Sequence, residues 1–296
     1  RAARDQAAAT RTGGLGCGPD PRAHAEDGRV GANTGTAFYR LTDPTHPTSL
    51  GKLPTHTGSS IWRDVRVYQD HAFIVADNDG AHGMQVFDLD ALRGVTTPQT
   101  FTETAHYGAF GPGHTISINE STGFAYVPGS NLTCPGDSHS GGLQILDIHI
   151  PDAPVFAGCI NDAGYTHESQ CWVYAGPDTA HVGKEICVDA NGPNKKIAIV
   201  DVSNKSAPQT LSSVTYAGAA YPHQGWLTED QHYLLVDDEL DEENNGHNAW
   251  TYVWDVSDLD APVLVGHHEH PLGVIDHNLY VHGQYIYQSD YEAGVR

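Results

Sequence analysis

Short apolar runs that end in Asp recur along the chain, and each is followed by a polar turn with Pro and by another apolar run. They read Q-V-F-D, Q-I-L-D, A-I-V-D and Y-V-W-D, and end at Asp88, Asp147, Asp201 and Asp255. Successive Asp positions are therefore 59, 54 and 54 residues apart. A period of this length is too long for one turn of a solenoid and is typical of a four-stranded propeller blade.

A β-hairpin precedes most of these runs, and its first strand begins at a histidine in the clearest copies, which are His114, His167, His223 and His277. The return strands, such as 124–127 and 233–236, are rich in residues that favour strands. One unit therefore reads strand A, turn, strand B, loop, strand C, turn, strand D. Radial stacking buries the faces of such sheets, which one sheet alone cannot do. The sequence predicts an all-β chain folded as a β-propeller of four-stranded blades.

The two ends of the repeat predict how the ring closes. The first recognised unit begins at strand C, residues 37–40, and the last stops after strands A and B. We expect these terminal strands to join and to close a ring of five blades. The count rises to six or seven if residues 1–35 add strands or if the protein continues beyond Arg296. Residues 1–35 show no period of two, so we predict a flexible or tethering N-terminal arm there and a propeller domain over 36–296.

Charge and hydropathy narrow the class of function. The chain has 37 acidic and 15 basic residues and a formal net charge of −22. Nucleic acid is excluded as an expected partner, because that affinity depends on Lys and Arg meeting phosphate. No apolar run has the length of a membrane span. A signal peptide is not recognisable either, as expected of a processed mature chain.

Four of the five cysteines fall where disulfides could form. Cys171 and Cys187 lie on the two arms of one hairpin, where opposite Cβ atoms come within bonding range. Cys134 follows strand B and Cys159 ends strand D of the preceding blade, which allows a second bridge. Buried free thiols and a metal role are the alternatives. Disulfides would indicate an oxidising compartment.

Several stretches resemble a known family. Residues 164–167, 222–230, 235–242 and 252–258 are similar to the LVIVD-repeat proteins of bacterial cell surfaces that are grouped as the choice-of-anchor B family. The resemblance extends over about 36–296. It implies a secreted or cell-surface bacterial propeller, usually held by a C-terminal anchor, and it implies no known reaction.

Candidate chemistry lies where A strands begin and B strands end, because a hairpin places these points on one rim. The predicted pairs are Asp64 with Asp77 and Asp79, His114 with Asn131, His167 with Asp189, His223 with Asp237 and Asp238, and His277 with Asp290. If strand A is innermost, this ring surrounds the mouth of the channel. Imidazole and carboxylate groups there would bind a divalent transition metal, act as acids and bases, or brace the blade junctions.

Two acidic segments predict calcium sites, because clustered carboxylates in loops supply the hard oxygen ligands that calcium prefers. The candidate ligands are Asp77, Asp79, Asp237, Asp238, Glu239, Asp241 and Glu242. Neither segment has the spacing of an EF-hand loop. Solvated acidic loops are the alternative.

The first functional prediction is a binding or assembly scaffold without enzymatic activity, stabilised by calcium and disulfides. Its partners would be extracellular proteins or polysaccharides, or further copies of the chain joined by strand exchange. Motifs of serine hydrolases, P-loop proteins and dinucleotide-binding enzymes are missing. The alternative is a metal-dependent hydrolase or lactonase that uses the ring of His and Asp residues, by analogy of fold alone.

Overall fold

The computed structural model describes residues 9–10, 27–134, 140–161 and 164–296, which form mainly antiparallel sheets with short helices between them; the exception is a short parallel pairing of Gly51 with Gln99 and of Lys52 with Thr100. The chain divides into two compact units, Arg1–Ala125 with Asp147–Val155, and Tyr126–Leu146 with Phe156–Arg296. The predicted order of four consecutive strands in a sheet is confirmed. Strands are numbered β1 to β23 along the chain.

Two sheets lie in the first unit. One has the order β1-β2-β3-β4-β8, with strands Ala9–Thr10, Asp27–Ala32, Gly35–Arg40, Thr48–Pro54 and Gln99–Thr100. The other has the order β5-β6-β7-β9, with strands Arg63–Tyr68, His71–Ala76, Met84–Asp88 and Ala105–Tyr107. A 3-10 helix, Leu89–Leu92, follows β7. Phe38, Ile74 and Phe87 belong to the apolar core of this unit.

The next sheet along the chain has the order β10-β11-β12-β13. Its strands are Ser117–Asn119, Phe124–Val127, Leu143–Asp147 and Val155–Ile160.

Three further sheets lie in the second unit. The strands β14 to β17 are Glu168–Val173, Glu185–Asn191, Lys196–Asp201 and Gln209–Val214; β18 to β21 are Pro222–Leu227, Tyr233–Asp238, Trp250–Asp255 and Val263–Glu269; β22 and β23 are His277–His282 and Tyr285–Ser289. The helices are α1, Asp241–Asn245, and two 3-10 turns, Gly192–Asn194 and Tyr291–Ala293. Val188, Val236 and Trp254 belong to its apolar core. In the described residues, no helix is long and apolar enough to cross a membrane.

The structure extends the first sheet into the predicted N-terminal arm. Strand β2 pairs with β3 from Asp27 opposite Arg40 to Ala32 opposite Gly35. Glycine at position 31 allows β2 to lie close to Arg63, because a Cβ there would be 3.1 Å from the carbonyl oxygen of Arg63. The predicted ring closure needed a free edge on β3, where the last strands of the chain were expected to pair. That edge is occupied by β2, which belongs to the predicted arm. Residues 1–8 and 11–26 of the arm are outside the described residues.

Both predicted disulfides are present. Cys171 on β14 lies directly opposite Cys187 on β15, and the two are bonded. Cys134 is bonded to Cys159 at the end of β13. Cys17 lies outside the described residues. These bonds, together with the consecutive sheets, agree with the prediction of a disulfide-stabilised repeat protein.

Candidate functional site

Three predicted residues, His223, Glu239 and His277, converge in the second unit, and we call them the imidazole site. His223 is the second residue of β18, Glu239 follows the last residue of β19, and His277 is the first residue of β22. One ligand atom from each residue lies within 4.8 Å of the other two. His223 is buried, and the other two are half-buried. The hairpin argument placed the two histidines near the starts of A strands, whereas Glu239 was assigned to a calcium segment.

Two β-bulges lie at the histidines. The register of β18 against β19 shifts between Pro222 and Gln224, so His223 is the extra residue. The register of β22 against β23 shifts between His277 and Leu279, and the extra residue Asn278 has φ of 59°. A bulge turns the local side chains relative to the regular pleat. Here it accompanies the convergence of histidines from two neighbouring sheets.

Aromatic side chains surround the imidazole site. The ring centroids of His167 and His223 are 4.4 Å apart, and those of His223 and His277 are 4.2 Å apart. Tyr291 packs edge-on against His277 at 5.2 Å, and its hydroxyl donates a hydrogen bond of 2.5 Å to Oε1 of Glu239. Tyr291 was not predicted, because it lies in a 3-10 turn outside the repeated strand pattern.

The donor atoms of the imidazole site suit a divalent transition metal. Two imidazole nitrogens and one carboxylate oxygen form a set that zinc and similar ions bind. Zinc–ligand bonds of about 2.0–2.2 Å place ligand atoms up to about 4 Å apart, so atoms within 4.8 Å of one another reach an ion after small side-chain movements. Three protein ligands leave a coordination position for water or substrate, which is the arrangement of catalytic rather than structural zinc sites.

A carboxyl group lies behind His223. Oδ2 of Asp237 is 3.8 Å from Nδ1 of His223, and Oδ1 accepts a hydrogen bond of 2.6 Å from the backbone of Gln224. Burial raises the pKa of Asp237 to about 7, although the charge of His277 opposes this shift. The separation of 3.8 Å is longer than a hydrogen bond, so Asp237 lies beside the ring of His223 without a direct hydrogen bond to it.

The acidic segment after β19 is folded inward, and its members have different surroundings. Asp238 accepts hydrogen bonds from the Tyr216 hydroxyl at 2.7 Å and from the backbone of Ala220 at 2.9 Å, so it ties the preceding loop to β19. Asp241 and Glu242 are buried in α1. Burial raises the pKa of Asp241 to about 7. The acidic segment therefore has a buried part, Asp237, Asp238, Asp241 and Glu242, and a more exposed part that includes Glu239.

In the first unit, the predicted residues form ion pairs. Nδ1 of His114 lies 2.8 Å from Oδ2 of Asp77, and these interactions hold the pKa of Asp77 below its ordinary value despite its burial. Asp64 binds the backbone N–H of Ile116 at 3.0 Å and the guanidinium of Arg66. Interactions of this kind are what the structural alternative requires, in which the ring residues brace the blade junctions.

The second segment predicted to bind calcium, Asp77 and Asp79, is divided between two networks. Buried Asp79 lies 3.8 Å from the guanidinium of Arg63 and accepts a hydrogen bond from Thr55 at 3.2 Å. Arg63 also contacts His82 at 2.9 Å, so the negative charge of Asp79 lies beside a buried guanidinium group.

Of the remaining ring residues, His167 packs against His223 of the imidazole site, and the others have interactions of their own. Asp189 is buried and accepts a hydrogen bond of 2.6 Å from Ser169. Nδ1 of His167 lies 3.3 Å from the carbonyl oxygen of His223. Asp290 is buried near His270 and Arg296, whose charges oppose the rise of its pKa that burial causes. Asn131 is exposed.

A second group of possible metal ligands consists of Asp178, His181 and Asp260. Nε2 of His181 lies 3.1 Å from Asp260, and Nδ1 lies 3.2 Å from Nζ of Lys184. The ammonium group of Lys184 lies beside Nδ1 of His181, and Asp260 lies beside Nε2. We therefore interpret His181 as a link between two turns.

Comparison with known proteins supports the repeat and the fold. The LVIVD-repeat family model matches residues 192–215, which contain β16 and β17. The resemblance to LVIVD-repeat proteins is therefore confirmed for this repeat. Curated proteins gave no match.

Solved structures match most of the chain at low identity. A periplasmic gluconolactonase from Pseudomonas aeruginosa is 10% identical with a TM-score of 0.61, covering 90% of this chain and 76% of that one. A hypothetical selenium-binding protein from Sulfolobus tokodaii is 9% identical with a TM-score of 0.60, covering 92% and 68%. The β-propeller domain of Cps50 (Swd1) from Myceliophteria thermophila is 14% identical with a TM-score of 0.53, covering 90% and 76%. The fold is a β-propeller, as the repeat predicted.

Proposed function

We propose that this chain is an extracellular β-propeller that binds a divalent transition metal ion at the imidazole site and uses it to hydrolyse an ester or a lactone. One observation carries the proposal, the convergence of His223, Glu239 and His277 within 4.8 Å. A bound ion of this kind polarises a carbonyl group and lowers the pKa of water. Membership of the choice-of-anchor B group of cell-surface proteins is the finer assignment that we propose.

Two further observations support the proposal. The two disulfides favour an oxidising, extracellular location. The gluconolactonase shares the fold at 10% identity, and by analogy of fold lactones are the first class of substrate to test. The three protein ligands favour catalysis over the scaffold role because they leave a position open for substrate.

The test is zinc binding by the chelator-treated full chain, measured by titration calorimetry. His277→Ala and Glu239→Gln should each weaken zinc binding by at least about 100-fold, because each removes one of three ligands. These two side chains are half-buried, so their loss should perturb folding less than that of His223. His282→Ala is the matched control, because His282 is an exposed histidine at the other end of β22.

Activity is measured on the same proteins with aryl esters and neutral lactones. Hydrolysis should require zinc or a similar ion and should be lost in both ligand variants. If the natural protein binds no transition metal, or if His277→Ala binds it as tightly as His282→Ala, the enzyme proposal is wrong and the scaffold prediction is favoured.

A further inference from the structure

Three buried carboxylates in the second unit have a common pattern of contacts, and we call Asp241, Glu242 and Asp276 the carboxylate site. Asp241 and Glu242 belong to α1, and Asp276 precedes β22. Their residues are 0%, 7% and 0% exposed. The imidazole site uses none of them as a ligand.

In each of these residues one carboxylate oxygen is held by a neutral donor. The Tyr252 hydroxyl donates to Oδ2 of Asp241 at 2.6 Å. The side-chain amide of Gln288 donates to Oδ2 of Asp276 at 2.7 Å. The backbone N–H of Asp276 donates to Oε1 of Glu242 at 3.2 Å, which places these two residues in direct contact.

The other oxygen of each group is buried and has no hydrogen-bond partner. These atoms are Oδ1 of Asp241, Oε2 of Glu242 and Oδ1 of Asp276. A buried charged oxygen without a partner is costly, because it has lost its hydration and gained nothing in return. Three such atoms from three neighbouring carboxylates require either protons or a cation.

We propose that the carboxylate site binds one calcium ion through these three oxygens, with backbone carbonyls or water completing its shell. Calcium accepts six to eight oxygen ligands in flexible geometry and tolerates carboxylates that bind through a single oxygen. Zinc and copper prefer the nitrogen donors that this site lacks. The charges of Asp241 and Glu242 repel that of Asp276, and a bound ion would remove this mutual repulsion.

The surroundings favour a cation over an anionic or neutral ligand. Asp237 and Asp290 add further buried carboxyl groups near Asp276 and repel its charge. The basic group beside Asp241 is an imidazole, since Nε2 of His247 lies 3.8 Å from its Oδ2. A divalent ion would neutralise more of this charge than one imidazolium does.

The experiment measures calcium binding and thermal unfolding of the full chain after treatment with a chelator. Calcium should raise the melting temperature by several degrees and should bind with one ion per chain, because binding to the folded state alone stabilises it. Asp276→Asn and Glu242→Gln should each weaken calcium binding by at least about tenfold, because calcium affinity depends on the number of charged ligands. Glu243→Gln is the matched control, since Glu243 is the exposed neighbour of Glu242 in α1.

Sodium chloride at equal ionic strength separates binding from screening, because it would mimic calcium if only surface charge were involved. The proposal is overturned if sodium restores the melting temperature of the chelator-treated protein as well as calcium does. It is also overturned if Asp276→Asn raises the melting temperature and calcium has no effect, because protons would then satisfy the oxygens.

The calcium and zinc proposals can fail independently. His277→Ala and Glu239→Gln should keep calcium binding, since neither removes a ligand of the carboxylate site. Glu242→Gln should likewise keep zinc binding at the imidazole site.

Discussion

At pH 8.5 the Asp189→Asn variant should be more stable than the natural protein, whereas at pH 4 the two should be nearly equal. Asp189 is buried, and burial raises its pKa to about 7 while a hydrogen bond from Ser169 opposes the shift. In the unfolded chain the pKa returns to its ordinary value of 3.8. The folded state therefore binds more protons between these two values, and its stability falls as the pH rises through this window.

The expected difference in the free energy of unfolding follows from the rise of the pKa by about three, which corresponds to about 4 kcal/mol as an upper value. Asparagine stays neutral and can still accept the hydrogen bond from Ser169, so it should remove this loss. Urea unfolding at several pH values measures the difference between the two proteins. Asp258→Asn, on an exposed turn, has the same change of charge and is the control. Parallel pH profiles for the natural and Asp189→Asn proteins would contradict the prediction.

Replacing both Cys171 and Cys187 by Ala should lower the free energy of unfolding by about 3 kcal/mol, the value that loop entropy gives for a bridge spanning about 15 residues. The bonded residues are 16 positions apart and lie opposite one another on β14 and β15. The unfolded chain gains freedom when this bridge is lost, while the strand pairing of the folded state can persist.

Thermal and denaturant unfolding measure this effect, and peptide mapping under non-reducing conditions verifies that the second bridge, Cys134 to Cys159, is intact in the variant. A double variant as stable as the natural protein would mean that the bridge contributes nothing. In the natural protein, free thiols at Cys171 and Cys187 after isolation from the culture medium would argue against the disulfide and against an oxidising compartment.

The strands were predictable because their period is carried by buried apolar residues. The runs that end at Asp201 and Asp255 became β16 and β20, and His167, His223 and His277 lie within one residue of the starts of β14, β18 and β22. Strand β2 was not predictable, because Gly28 and Gly31 interrupt the alternation and its pairing depends on the backbone.

The imidazole site was predictable in residue type and in strand position, but its membership was not. His223 and His277 were expected beside Asp237 and Asp290, and Glu239 was assigned to a calcium loop. The bulges in β18 and β22 shift the register at the histidines, and a sequence pattern does not reveal such a shift. The ligand role of Asp276 had a weaker signal, a lone carboxylate immediately before His277.

Strand β23 of the two-stranded hairpin is open to solvent, since Tyr285, Ile286 and Tyr287 are 69%, 39% and 45% exposed. The hairpin of β22 and β23 nevertheless carries His277 and directly follows Asp276, whereas the other members of both proposed sites precede it in the chain. Any ion held at either site would therefore fasten this hairpin to the sheet beside it. Amide hydrogen exchange in β22 and β23 should accordingly report on metal loading, with fast exchange in the ion-free protein and slow exchange in the loaded one.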